Sequence, residues 1–398
     1  MLEVYVLRGR WADIVFCWID IDVMYKLTRR EFIRLGLLLS GGLYCTRYLG
    51  FRAFAGNSDK PWRWSREAMF YTQTSRGVKC GICPNECTIR NGETSQCHNR
   101  VNYNGKLFSI AYGNPCAVHV DPVEKKPLYH FLPNSLAYSI ATAGCNFGCL
   151  NCQNWEISQS GPKDTKNVEL FPEKAVEQCL QNGCKSIAYT YSEPTTFYEY
   201  MYDTARVAHQ QGVKNILVSN GYINDEPLKE LSKYIDAANI DLKSFSNDIY
   251  LKLNAGTLQP VLNTLKTLNG MGVWVEITNL VVPSWTDDFD MIKRMCDWLA
   301  SNGLSAMPIH FSRFFPLYKL TQLPQTPLST LAKARDIAIK SGLKYAYIGN
   351  TALPNVSNTY CPECSRLVVE RKGFSILTMQ VRNGKCNFCG AKVHGYWE

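Results

Sequence analysis

Charge is scarce in this chain and histidine scarcer: 19% of the 398 residues are charged and six are histidine. The 43 Lys and Arg exceed the 34 Asp and Glu by a modest +9, with no long basic run. A generic nucleic-acid footprint needs Lys and Arg massed on one face or stripe, so that class is unsupported. An anionic substrate stays compatible. Long apolar runs are also missing. The stretch from Leu35 to Tyr44 is broken by Gly36, Gly41 and Gly42 and is too short to cross a bilayer as a helix. No transmembrane helix is expected. What remains is a globular composition, 46% hydrophobic, long enough for one large α/β domain with small appendages.

Cysteine is abundant, with 17 in all. Eleven fall in three clusters: Cys80, Cys83, Cys87 and Cys97; Cys145, Cys149 and Cys152; and Cys361, Cys364, Cys386 and Cys389. Cys17, Cys45, Cys116, Cys179, Cys184 and Cys296 are scattered. Clusters of C-x2-C type in a chain of this length point to metal sites over a disulfide framework. They imply a reducing, metal-loading compartment during assembly.

The middle cluster has no fourth cysteine at short range. Three thiolates can hold three irons of a cubane [4Fe–4S] cluster and leave the fourth open, where a ferredoxin closes that corner with a fourth Cys. An open iron favours chemistry over simple electron transfer. The competing readings are a structural zinc or chance clustering.

From about residue 136 apolar runs alternate with amphipathic segments. Strands are expected at Ala137–Ala143, Ser186–Tyr191, Asn215–Ser219, Ala238–Leu242, Val273–Val282, Met307–Phe311 and Tyr345–Ile348. Helices are expected at Pro172–Gln181, Thr196–Gln211, Pro260–Gly270, Asp287–Ser301 and Ser329–Lys340. Pro172 suits a first helical turn and Gly183 follows that helix; Ser329 is expected to cap the last one, with Gly342 behind it. Such alternation predicts parallel strands with right-handed crossovers, in a partial or full (β/α) barrel. Chemistry in such barrels gathers at the C-terminal strand ends. Polar residues follow the runs there: Cys145, Ser192-Glu193, Asn220-Gly221, Asp241 and Lys243, with His310 near the end of a later strand. Each alone reads first as a solvated loop or core residue; together they suggest one mouth.

Gly144–Gln159 is similar to radical SAM enzymes related to pyruvate formate-lyase activating enzyme, and looks closest to the AmmeMemoRadiSam system radical SAM enzymes. Asp121–Phe131, Tyr189–Thr195, Ser219–Tyr222 and the terminal C-x2-C pairs carry the same resemblance, which spans about 75–398. It implies an α/β radical SAM barrel with small Cys-rich metal-binding modules at both ends. Cys145, Cys149 and Cys152 would bind the cluster, whose open iron chelates S-adenosylmethionine (SAM). Glu193 stands in the place of the Gly-Gly-Glu-Pro motif that holds the SAM amino group; a carboxylate suits an ammonium. Asn220 would contact the ribose, Asp241 and Lys243 match an Asp-Leu-Lys stretch near SAM, and His310 matches a histidine near its nucleoside. One electron would cleave SAM into methionine and a 5′-deoxyadenosyl radical, which abstracts hydrogen from a substrate. A low-potential donor of flavodoxin or ferredoxin type is implied as partner, with AmmeMemoRadiSam proteins or a glycyl-radical enzyme.

The chain departs from the pattern twice. Asn151 replaces the usual aromatic before the third cysteine. Val218 stands where activases carry the Asp of Asp-Thr-Asn-Gly, which weakens an activase reading. Three functions compete: a radical SAM enzyme acting on a small molecule or partner residue, a glycyl-radical activase, and an iron–sulfur electron carrier. The open corner disfavours the last.

Cys361, Cys364, Cys386 and Cys389 resemble two zinc-ribbon knuckles, with tetrahedral zinc the first reading and iron the next. For Cys80, Cys83, Cys87 and Cys97 both zinc and an auxiliary cluster stand open. Thr28–Arg34 resembles a twin-arginine export signal. Cytoplasmic chemistry and export of a folded, loaded protein are therefore both open. The expected layout is an N-terminal extension (1–60), a Cys-rich module (61–130), a barrel (131–352) and a ribbon (353–398).

Overall fold

The protein is described here by a computed structural model covering residues 59–398. The twin-arginine-like segment, the apolar stretch behind it, Cys17 and Cys45 lie outside the described residues.

Eight strands form the central sheet: β1 (Ala117–Pro122), β2 (Leu136–Ala141), β3 (Ser186–Tyr189), β4 (Lys214–Ser219), β5 (Ala237–Asp241), β6 (Trp274–Val281), β7 (Ile309–Arg313) and β8 (Ala346–Gly349). They lie in sequence order across the sheet. Every neighbouring pair from β2 to β8 is parallel, and β1 pairs antiparallel with β2. Strands β1 and β8 are the sheet's two edges, so the barrel is partial.

Six helices cover the outer face: α1 (Pro172–Gln181), α2 (Tyr198–Gln210), α3 (Asp225–Ser232), α4 (Leu258–Gly270), α5 (Phe289–Ser301) and α6 (Leu328–Lys340). The two-residue period of a strand divides each run between two surroundings. Tyr138, Ile187, Leu217, Ala238, Ile240, Val275 and Ile277 join helix residues such as Val176, Ala205, Leu231 and Leu265 in the main core. Alternate positions face inward, where Ala137, Ala188, Ile216, Ala237 and Trp274 pack against Val123, Leu128 and Phe131. The Asp121–Phe131 stretch therefore starts at the end of β1 and plugs the inside of the barrel. Its Tyr129 and His130 backbone N–H groups donate to Glu276 at 3.0 and 2.7 Å. An unpaired buried carboxylate would be costly; here Trp274 Nε1 and the His310 ring also engage it.

Small antiparallel sheets flank the barrel on both sides in sequence. One pair of sheets is built from strands between Arg66 and Ser109, the other from strands between Thr359 and Cys386. The later one is tied to the plug: Arg371 Nη2 donates to Tyr129 O at 2.8 Å, and Leu132 N donates to Tyr396 O at 2.7 Å. Among the described residues no helix is long and apolar enough to cross a membrane.

Three features depart from the sequence expectation. β1 is a strand that the sequence does not announce; two of its residues are exposed, and the edge position weakens its apolar alternation. α3 is equally unannounced, because Pro227 and a run of charges mask its short apolar face, although Pro is tolerated in a first turn. Ser329 does not cap α6: the helix begins at Leu328 after Pro327, with no side-chain cap.

Candidate active site

The loop after β2 carries Cys145, Cys149 and Cys152, and neighbouring segments hold its shape. Gly144 enters it at φ +105°, and a Cβ there would lie 2.6 Å from Cys97 O, so only glycine fits without movement. Tyr250–Asn254 forms a π-helical turn. It accepts two loop N–H groups, Gly148 N on Asn254 O at 3.0 Å and Leu150 N on Leu253 O at 2.9 Å. Single π turns are frequent at functional sites.

Donors converge on the thiols. Asn254 Nδ2 approaches Cys149 Sγ at 3.2 Å, Phe147 N approaches Cys145 Sγ at 3.4 Å, and Asn220 Nδ2 lies 3.9 Å from that same sulfur. Burial first, then the charges of Glu193 and Cys149, pushes the Cys145 thiol well above the usual range. Burial raises Cys149 and Cys152 as well. Such thiols hold their protons until a cation displaces them. Two buried amide oxygens, Asn151 Oδ1 and Asn254 Oδ1, have no hydrogen-bond partner among the described residues. Three thiols on one loop with N–H groups aimed at two of the sulfurs are a donor set that fits a three-thiolate cubane cluster.

Glu193 is 2% exposed and ends the β3 loop. Its Oε1 accepts from Thr195 N (3.0 Å), Thr195 Oγ1 (2.7 Å) and Ser219 Oγ (2.7 Å), and its Oε2 accepts from Asn220 N (2.8 Å). The carboxylate thus joins the β3 and β4 loops. Tyr191, two residues before it, holds φ +66°, a glycine-like backbone on a bulky residue. Asn154 Nδ2 donates to Tyr191 O at 2.7 Å, and the Tyr191 hydroxyl donates a short bond to Asp121.

Asn220 donates to Asn146 Oδ1 at 2.7 Å and accepts from Tyr222 N at 2.9 Å, beside Cys145. Asp241 ends β5 and pairs with Lys243 at 2.8 Å. Burial opposes the Lys243 ammonium, but the charge of Asp241 first, and then its neighbour Cys149, outweigh it and hold its pKa above the ordinary lysine range. Cys145, Glu193, Asn220, Lys243 and Cys149 are therefore linked through direct contacts or charge. His310 is placed differently. It is the second residue of β7, 1% exposed, with Nε2 2.7 Å from Glu276 Oε2 and its ring against Tyr129 and Tyr347.

Sequence reasoning missed Asn254 and Phe147. Asn254 is 105 residues from its cysteine, in a turn type with no sequence signature. Phe147 is 3% exposed and packs on Tyr222 and Tyr250 at centroid distances of 4.8 and 6.2 Å. It brings an aromatic cover beside the thiols in a chain where Asn151 brings none.

The flanking cysteines separate by geometry. Cys361, Cys364, Cys386 and Cys389 present four sulfurs within 4.8 Å of one another, with Cys361–Cys389 at 3.7 Å and Cys364–Cys386 at 3.8 Å. Zinc–sulfur bonds of about 2.3 Å in a tetrahedron require sulfurs about 3.8 Å apart. Cys80, Cys83, Cys87 and Cys97 instead line one cavity. No second set of three such ligand atoms among the described residues lies that close.

The radical SAM superfamily matches residues 139–299, a span holding the triad, Glu193, Asn220 and Lys243. The uncharacterized protein MJ0808 of Methanocaldococcus jannaschii is 46% identical over 331 residues, covering 82% of this chain and 98% of that one. The pyruvate formate-lyase 1-activating enzyme of Escherichia coli K12 is 26% identical over 177 residues, covering 42% of this chain and 71% of its own. A solved domain of a pyruvate-formate lyase-activating enzyme from Bacteroides vulgatus aligns at TM-score 0.37 and 18% identity, over 42% of this chain and 99% of that domain. With the cysteine loop directly after the first parallel strand and the family model matched across β2 to α5, residues 139–299 form a domain of the radical SAM superfamily, which supports SAM-dependent radical chemistry.

Proposed function

We propose that the chain is a radical SAM enzyme of the AmmeMemoRadiSam type, acting on a small molecule or on residues of a partner protein. One observation carries this: three thiols on the β2 loop meet Glu193, Asn220 and the Asp241–Lys243 pair from the next strand ends. Cys145, Cys149 and Cys152 would hold a [4Fe–4S] cluster whose open corner takes SAM. When bound, that pair supplies a one-electron cleavage of SAM to methionine and a 5′-deoxyadenosyl radical, which abstracts hydrogen from a substrate.

The chain's own residues place and enclose the reagents. Glu193 already binds four protein donors, so its carboxylate would hold the Tyr191–Glu193 turn in shape beside the SAM amino group. Lys243 would exchange part of its contact with Asp241 for the SAM carboxylate. Asn220 orders the cysteine loop through Asn146 and would contact the ribose. Phe147, Tyr222 and Tyr250 exclude water from one side. His310, held by Glu276, would shape the barrel wall near the nucleoside.

Glycyl-radical activation is the second reading, favoured by the activase relatives. Against it, Val218 packs on the inner apolar cluster, where activases carry an acid. The terminal set of four cysteines would hold zinc in a tetrahedron. A low-potential flavodoxin or ferredoxin would supply electrons, with AmmeMemoRadiSam proteins or a glycyl-radical enzyme as partner.

Anaerobic reconstitution, followed by dithionite and SAM, should release 5′-deoxyadenosine and methionine. A fully loaded protein that releases neither refutes the proposal. Cys149→Ala should lose the SAM-responsive cluster signal; full activity in that variant would overturn the ligand assignment.

A further inference from the structure

The cavity lined by Cys80, Cys83, Cys87 and Cys97 borders the triad. Its wall includes Asn146, from the triad loop, and Thr195 and Thr196, from the turn that Glu193 begins. Asn85, between the second and third of these cysteines, donates to Asn146 O at 2.8 Å. Asn99, two residues past the fourth, donates to Ala143 O at 2.7 Å and Thr196 Oγ1 at 2.8 Å. The two cysteine loops thus share one wall.

The cavity also holds an unmatched donor. Arg100 is 1% exposed, and its Nη1 pairs with Glu199 at 2.6 Å. Its Nη2 is buried with no hydrogen-bond partner among the described residues. Leaving a buried guanidinium N–H without an acceptor carries the full desolvation penalty of a charged donor, so this one points to an acceptor inside the cavity. Sulfur of a metal cluster is such an acceptor, and hydrogen bonds to it tune cluster potentials.

Spacing then separates the two outer sets. The terminal four sulfurs have collapsed to the distances of a single tetrahedral ion. The cavity cysteines have not, although they are equally four and equally ordered by turns and short strands. A cubane places each thiolate on its own iron and so needs the sulfurs farther apart than one ion does.

We propose that Cys80, Cys83, Cys87 and Cys97 bind a second iron–sulfur cluster of the [4Fe–4S] class, closed at all four corners and hydrogen-bonded by Arg100. A closed cluster leaves no iron for SAM, so this centre is distinct in kind from the triad's. The inference stands on the cavity itself and does not require the triad's proposed reaction.

The test uses the full chain with Cys145, Cys149 and Cys152 all changed to Ala, reconstituted anaerobically. About four irons and four sulfides per chain should remain, against about eight of each in the unaltered protein, as expected for one and two [4Fe–4S] centres. The reduced signal of the variant should ignore added SAM. Zinc in place of iron, or no metal, in a variant whose circular dichroism matches the parent overturns the proposal. If that variant fails to fold, Cys83→Ala decides: iron must fall by about half while the remaining signal still shifts with SAM, and unchanged iron refutes the second cluster. A SAM-silent signal in Cys83→Ala, by contrast, would count against the triad reading alone. Arg100→Lys, which keeps the charge for Glu199, should lower the second centre's midpoint potential; an unmoved potential removes Arg100 from the site.

Discussion

Replacing Gly256 with Ala should damage the cysteine loop from a distance of more than a hundred residues. A Cβ at 256 would lie 2.2 Å from Phe147 Cε1, 2.8 Å from Cζ and 3.0 Å from Cδ1. Carbon atoms rest about 3.5–4.0 Å apart, so the Phe147 ring must retreat by roughly 1.3 Å or more. It is backed by Tyr222 and Tyr250, and its backbone runs between Cys145 and Cys149. Overpacking of this kind costs about 1–3 kcal/mol. At about 3 °C per kcal/mol, a metal-free sample should melt roughly 3–9 °C lower. The control is Gly148→Ala, inside the triad loop, where the added Cβ meets only Ala255 Cβ at 3.5 Å, an ordinary contact. Differential scanning fluorimetry of both metal-free variants, followed by iron analysis after reconstitution, reads the outcome. Gly256→Ala should fall in melting temperature and in iron retained; metal-free Gly148→Ala should melt within about 1 °C of the parent, a change near 0.3 kcal/mol. Equal melting in the two variants would refute the claim that Phe147 transmits the shape of this loop.

Acid should weaken the barrel through His130, whose pKa burial lowers to about 4, with Glu276 and the His394 carbonyl opposing. The unfolded chain takes up that proton below its ordinary pKa of about 6.5 and the folded chain does not, so stability falls as pH drops from about 6.5 to 4, by about 3 kcal/mol at the bottom. Urea midpoints across that window should show a flatter slope in His130→Gln, even if that variant is weaker throughout; an unchanged slope refutes the assignment. At the terminal ribbon, Cys389→Ser should lose one bound zinc per chain by elemental analysis and expose residues 359–398 to limited proteolysis, and retained zinc would show that the four sulfurs are not its cage.

The barrel was legible because apolar strand runs alternate with amphipathic helical segments, and α1 also carries a proline start signal. α1 runs from Pro172 to Gln181, as Pro172 and Gly183 indicate. The triad and its strand-end companions were legible for the same reason: polar residues stand out directly after apolar runs. What stayed hidden was long-range or without a motif. Asn254 comes to Cys149 through a π turn that no spacing rule announces. His310 looked like a strand-end residue because the apolar run starts two residues before the strand does, at Met307 rather than Ile309. Glu193 was legible as a strand-end acid, but the four donors around its carboxylate come from residues whose positions only the fold fixes. The paired spacing of the terminal cysteines announced a ribbon, whereas the spacing of Cys80, Cys83, Cys87 and Cys97 left its centre open, and only the fold shows that one set is gathered tightly and the other lines a cavity.

The tie between the plug and the ribbon sets an order for folding. The triad loop finds Asn220 and Asn254 at separations of 75 and 105 residues. The plug must find Arg371 and His394 at 242 and 264. Closing the longer loops is entropically dearer and slower. On that ground a nascent or refolding chain is expected to shape its cysteine loop before the plug and the ribbon are joined. Metal delivery would then fall in a period in which the cysteines are arranged but the enclosure is incomplete, a period that would end when the ribbon docks.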